Sequence, residues 1–142
     1  MRMNRWIVAL SLGLVLAAAA ACNVSMSTAN LSSLKLAKDK AGNQPASTFA
    51  TEDTIYGIAV VSNAPSKVKV KASVSAENVP GQQTGPIPGL DTTLDLDGSG
   101  TATFTYTPPS AGWPKGTYKV DVVMLNEAGE QKDQKTATFT VS

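Results

Sequence analysis

From Leu31 to the last residue, apolar and polar side chains alternate almost residue by residue. A helix repeats every 3.6 residues, so a sustained period of two specifies strands with one buried and one wet face. In "SKVKVKASVS", Val68, Val70, Ala72 and Val74 share one face, and Lys67, Lys69 and Lys71 share the other. In "GTYKVDVVML", Tyr118, Val120, Val122 and Met124 point inward, as do Ala137, Phe139 and Val141 in "KTATFTVS". "DTIYGIAVVS" is a β-branched run that suits a central strand buried on both faces. At the start of the pattern, Leu34 and Leu36 oppose Lys35, ahead of a turn at Asp39 to Gly42. A helix over Leu31–Ala41, capped by Ser32, is the rival there, but its apolar stripe is thin. The expectation is an all-β domain over residues 31–142, an antiparallel β-sandwich of about seven to eight strands. That length is ample for one core.

The first 21 residues have a different character. Arg2 and Arg5 precede an apolar run from Trp6 to Ala21, the pattern of a secretory signal peptide that is removed. A retained membrane anchor is the alternative, although the run is short for a span and lacks a charged flank. The residues "LAAAAACNVS" resemble the lipobox of bacterial lipoproteins, in which small residues precede a Cys that becomes the first mature residue. Ala19 stands where that family more often has Leu. The resemblance implies that Cys22 carries a diacylglycerol and that the new amino terminus carries a fatty acyl group such as palmitate. An ordinary cleavage near Ala21 would instead leave Cys22, the one cysteine, as a lone reactive thiol. Two or more acyl chains hold a protein on a bilayer where one does not, because each buried methylene contributes about 0.8 kcal/mol. In enterobacterial lipoproteins an Asp after the Cys retains the protein at the inner membrane. By that resemblance Asn23 points to the outer membrane of the cell envelope. Residues 22–30 then form a lipidated Cys and a flexible, small and polar tether.

Charge and missing residue types narrow the chemistry. Without Arg2 and Arg5, ten Lys face eleven Asp and Glu, so the exported part is nearly neutral. Nucleic acid is therefore not an expected partner, since phosphate binding needs a basic surplus. The chain contains no His, which removes the usual general base and the commonest metal ligand. With Cys22 lipidated there is no thiol nucleophile. The close carboxylates Glu52-Asp53 and Asp95/Asp97 lie in turns, and no Gly-rich phosphate loop is present. The expectation is a protein that is not an enzyme and needs no cofactor.

Two stretches invite a functional reading. "NVPGQQTGPIPGL", residues 78–90, has three Pro and three Gly and cannot be regular structure. It is either a crossover between sheets or a recognition loop, with Ile87 held extended between Pro86 and Pro88. "LDLDGSGTATFTY" begins like an EF-hand loop, with Asp95, Asp97, Ser99 and then Gly100 in sixth place. Tyr106 occupies the twelfth place, where a bidentate Glu is required. A β-hairpin fits better: Leu96 opposite Ala102, Leu94 opposite Phe104, and Gly98-Ser99-Gly100 as a three-residue loop with a glycine in the left-handed region. Asp97 would cap the turn, and a weak calcium site at Asp91, Asp95 and Asp97 is the alternative. The exposed Lys row is expected to pair with acids on neighbouring strands, Asp121 among them.

"GWPKGTYKV" resembles the start of strand F in immunoglobulin-like domains, with Tyr118 in the tyrosine-corner position and Trp113 in the preceding loop. Val120 stands where antibody domains have a disulfide cysteine, so the resemblance is to the cysteine-free, fibronectin-like branch. The chain from Leu31 resembles the single immunoglobulin-like domains of many bacterial envelope lipoproteins. That resemblance implies a lipid-anchored envelope protein with a non-catalytic binding or assembly domain. A protein or glycan partner is expected at Pro86, Ile87, Pro88 and Trp113, because these join apolar groups to non-regular backbone; an enzyme of unrecognised type is a further alternative.

Overall fold

The computed structural model describes residues 29–142. The expected signal peptide, Cys22 and most of the expected tether lie outside the described residues. Nine strands occur among the described residues and no helix. They are β1 (Asn30–Ala37), β2 (Thr48–Phe49), β3 (Ile55–Ser62), β4 (Val68–Asn78), β5 (Gly85–Pro86), β6 (Thr92–Leu96), β7 (Gly100–Tyr106), β8 (Gly116–Leu125) and β9 (Gln131–Val141). The strand reading at Leu31–Ala41 holds over the helical one.

The strands form two stacked sheets. One has the order β1-β3-β7, and the other β2-β9-β8-β4, with β5 and β6 both on the far edge of β4. Between them lies a single core, to which nearly every alternation read from the sequence contributes. Val70, Ala72, Val74, Val120, Val122 and Met124 are all buried. Each such Val or Met stabilises the fold by roughly 1.5–3 kcal/mol relative to exposure. Ile58 is buried on the opposite face of β3, under the loop at Gly42, where an added Cβ would come within 2.8 Å of its Cδ1. The central strand is thus covered on both faces, at least at that position.

Four expectations need correction. The hairpin of residues 94–106 does not form. Leu94 and Leu96 pair with Val70 and Val68, whereas Ala102 and Phe104 pair with Ala59 and Gly57 in the other sheet. The chain arches from one sheet to the next, and both sets of apolar side chains meet the same core from opposite sides. Period-two alternation is identical in a hairpin and an arch, so it cannot separate them. Neither Gly98 nor Gly100 has positive φ. Ser99, rather than Asp97, anchors the turn, its hydroxyl oxygen accepting the Ala64 N–H at 3.0 Å.

The 78–90 segment is not a crossover between sheets, for it joins β4 to β6 within one sheet. Nor is it wholly irregular, because Gly85 and Pro86 pair with Ala76 and Ser75. The sandwich is not purely antiparallel either: β2 runs parallel to β9, with Phe49 beside Val141. Finally, Asp121 does not serve the Lys row. It accepts a 2.6 Å hydrogen bond from Thr136 and lies 3.7 Å from Lys119, whereas Lys69 pairs with Asp95 at 3.3 Å.

The sandwich has two distinct ends. At the lower end lie Asn30, Ser62, Lys69 and Leu125, paired across neighbouring strands. At the upper end lie Ile55 and Tyr106 in one sheet, and Ala76 and Tyr118 in the other.

Candidate functional site

The upper end is built around aromatic rings. Tyr118 stacks on Phe139 with centroids 5.1 Å apart, and Phe49 meets the other side of Phe139 edge-on at 5.7 Å. Trp113 packs against Tyr118 at 6.4 Å. These rings are buried, so their polar atoms need internal partners. The Tyr118 hydroxyl donates to the Pro114 carbonyl at 2.5 Å, four residues upstream. The Trp113 indole N–H donates to the Asp53 carbonyl at 2.8 Å, and its backbone N–H donates to Thr51. Asp53 is itself held in place, its carboxylate accepting the Ala50 N–H at 2.8 Å. The corner between β7 and β8 is therefore bolted to the turn between β2 and β3.

Gly116 completes the corner. It has φ of 150°, and a Cβ there would lie 2.6 Å from the Asn78 carbonyl oxygen. Only glycine lets β8 start so close to the end of β4.

Above the rings lies an apolar groove of about 340 Å³. One wall is Ile87, Pro88 and Leu90 from the long loop; the other is Thr107, Pro109 and Pro114. Trp113, Tyr118 and Ala76 form the floor, and Gln82 sits at the rim. The loop is seated by hydrogen bonds from Ile87 N–H to the Val74 carbonyl at 2.9 Å and from Gln82 N–H to Val79 at 3.0 Å. Of the four residues expected to make contact, Ile87, Pro88 and Trp113 come together here although 25 or more positions separate the loop from the tryptophan. Pro86 does not line the groove; it pairs with Ser75 at the sheet edge. Trp113 is only 5% exposed, so it acts as floor rather than as a projecting contact. Sequence reasoning missed the Thr107-Pro108-Pro109 side, whose paired prolines at a strand end were the available signal.

Beside the groove, Tyr106 is buried, and its hydroxyl has no hydrogen-bond partner. Burial, reinforced by the Asp91 carboxylate, pushes its pKa up to about 12.

The lower end differs in chemistry. Lys67, Lys69, Asp95, Asp97 and Glu127 border a shallow depression there, charged with both signs. Among the described residues, no three of His, Cys, Asp or Glu come together as metal ligands. Asp95 is occupied by Lys69, and Asp91 lies away from this depression, near Tyr106. The three carboxylates of the calcium alternative are thus not assembled into one ligand set.

No protein-family model and no curated protein matches the chain. Solved structures do share its shape. A β-glucosidase from Listeria innocua in complex with glucose matches with a TM-score of 0.50 and 11% identity, covering 78% of this chain and 16% of the enzyme. A Niemann-Pick type C2 protein from Japanese carpenter ant matches with a TM-score of 0.49 and 14% identity, over 80% of this chain and 92% of that one. At such identities the likeness concerns the fold alone.

Proposed function

We propose that this protein is a lipid-anchored component of the bacterial cell envelope, held at the outer membrane through Cys22. It carries one non-catalytic, immunoglobulin-like domain that binds a partner in its upper groove. The observation that carries this reading is the convergence of the proline-rich loop and the Trp113-Pro114 corner on one apolar groove. Exposed apolar concavities of this kind are how binding modules present affinity without chemistry. The fibronectin-like assignment is supported by the order of the two sheets, by the short parallel pairing of β2 with β9, and by the hydrogen bond from Tyr118 back to Pro114. The lipid anchor is supported by the small residues ahead of Cys22 and by its being the chain's one cysteine.

Two measurements test the two halves. Labelled palmitate is expected to enter the wild type and not Cys22→Ala, and the variant is expected to leave the membrane fraction. Capture of envelope proteins on the immobilised domain is expected to be lost on removing residues 85–89 while the circular dichroism spectrum stays that of a β protein. Unchanged capture would discard the groove as the contact surface.

A further inference from the structure

A sheet edge exposes a row of unpaired backbone groups, and most edges of this sandwich are blunted. β1 has a bulge between Leu31 and Ser33, and its Leu36 carbonyl accepts the Ala46 N–H. β2 and β5 are two residues long. β6 carries Asp95, and β9, beyond its short pairing with β2, carries Lys132, Asp133 and Lys135. β7 differs. Its seven residues, Gly-Thr-Ala-Thr-Phe-Thr-Tyr, contain no charge, no Pro and no bulge, and among the described residues it pairs with β3 alone.

The register shows which of its groups are free. In an antiparallel pair, residues turn their N–H and C=O alternately toward and away from the neighbour. The Leu36 carbonyl points away from β3, to Ala46, so Leu36 and its partner Gly57 form a pair without mutual hydrogen bonds. Gly57 therefore turns both groups to its other side, toward Phe104 of β7. By alternation Ala102 and Tyr106 also bond to β3. Thr101, Thr103 and Thr105 aim their N–H and C=O away from it, in donor–acceptor sets about 6.7 Å apart. That spacing is the repeat of an extended backbone.

An apolar strip runs beside this edge. Leu94 and Leu96 of β6 face the core but are only half-buried, whereas their partners Val70 and Val68 on β4 are buried. The cause is a mismatch in strand number. β1 is tied to β9 through Leu31 and Asp133, so the three strands of the smaller sheet run out before β6. A fourth strand beside β7 would lie over Leu94 and Leu96. From Asp91 to Tyr106 the chain carries three Asp and no Lys or Arg, and Asp91 and Asp97 bracket β6.

We propose that an extended segment of a partner protein adds to β7 as that fourth strand. Its backbone pairs with Thr101, Thr103 and Thr105, and its alternate apolar side chains cover Leu94 and Leu96. Lys or Arg at its ends meets Asp91 and Asp97. Backbone pairing gives such docking its affinity, and the alternate side chains give it selectivity. A second copy of this chain fits less well than a single strand. Its β7 would arrive with its own β4 beneath it, where this copy's β6 already lies. The edge is separate from the upper groove, and nothing in its chemistry depends on the lipid anchor.

Amide exchange on the isotope-labelled full-length protein in detergent micelles tests the edge. Without ligand, the N–H groups of Thr101, Thr103 and Thr105 are expected to exchange at least tenfold faster than those of Ala102 and Phe104. The capped peptide Lys-Val-Thr-Val-Thr-Val-Lys is then titrated. It is expected to protect the three threonine amides and to shift the methyl signals of Leu94 and Leu96. Thr103→Pro removes an outward N–H and leaves the ladder to β3 intact, so it should weaken the peptide at least tenfold. Exchanging both peptide Lys for Glu should do the same, and equal binding of that peptide overturns the choice of a basic partner. Slow exchange of Thr103 in dilute protein without ligand overturns the proposal, as does a peptide that gives no protection. Shifts at Ile87 and Trp113 in place of the threonines would put the peptide in the upper groove and overturn the edge. Protection that grows with protein concentration alone would assign the edge to a second copy and overturn the partner. The exchange comparison uses the wild type, so it decides the matter even if Thr103→Pro destabilises β7.

Discussion

The two ends of the sandwich hold together by different physics. At the upper end, buried rings of Trp113, Tyr118 and Phe139 pack in series, and their polar atoms bond to backbone carbonyls of distant loops. At the lower end, turns carry charges in water, and the Lys69–Asp95 pair has side chains 51% and 76% exposed. Packed aromatics are sensitive to every atom, whereas solvated ion pairs contribute little. The proposed groove sits on the aromatic end. Its floor, Ala76, Trp113 and Tyr118, is also core.

That contrast can be broken by substitution. The largest effect is expected from Trp113→Ala, which removes a core ring and strands the Asp53 carbonyl; urea denaturation should show a loss of about 3–5 kcal/mol. A loss below about 1 kcal/mol would mean that the corner is not part of the core. Tyr118→Phe keeps the ring and deletes only the bond to Pro114, so a loss of about 1–1.5 kcal/mol is expected in the same assay.

Tyr106→Phe should act in the opposite direction. Its hydroxyl is buried without a partner, so its removal is expected to raise stability by about 1 kcal/mol. The pH dependence sharpens this. The folded state holds the Tyr106 proton more tightly than the ordinary value of 10.0, with a pKa of about 12. Its contribution is complete below about pH 10 and disappears as pH rises towards 12. Alkaline unfolding of Tyr106→Phe should therefore be shallower than that of the wild type. A smaller limb should remain from Tyr118, whose pKa burial also raises. Identical alkaline profiles would show that Tyr106 is not desolvated.

The smallest effects belong to the lower end. Asp95→Asn and Lys69→Ala are each expected to change stability by no more than about 0.5 kcal/mol. Millimolar calcium is expected to leave the thermal midpoint of the wild type unmoved. A clear calcium-dependent rise lost in Asp95→Asn would restore the metal reading and make the lower end functional.

Much of this architecture was legible in the chain. The inward sets Val68/Val70/Ala72/Val74 and Tyr118/Val120/Val122/Met124 are buried as the alternation requires. The Tyr118 corner was legible because a Gly-x-Tyr-x-Val start joins a close backbone approach to an amphipathic ring. The candidate contacts Ile87, Pro88 and Trp113 were legible one by one, as apolar residues on non-regular backbone. Their common groove was not, because nothing local says that a loop between β4 and β6 leans over a corner between β7 and β8. The 94–106 stretch shows the same limit. Its register against itself satisfied every local preference, yet β3 and β4 offered open edges that each strand could pair with while facing the same core.

By itself, the sequence determined which side chains face the core and that the chain folds as strands, because period-two alternation leaves a helix no continuous apolar face. It also determined where the backbone must turn, since Pro and Gly act through local sterics. The tertiary structure alone decided which sheet each strand joins, that Asp95 pairs with Lys69, and that two remote loops share a groove. Those outcomes depend on which strand edges and ring faces remain unpaired once the others have packed. That competition is settled across the whole molecule and is written in no short stretch of it.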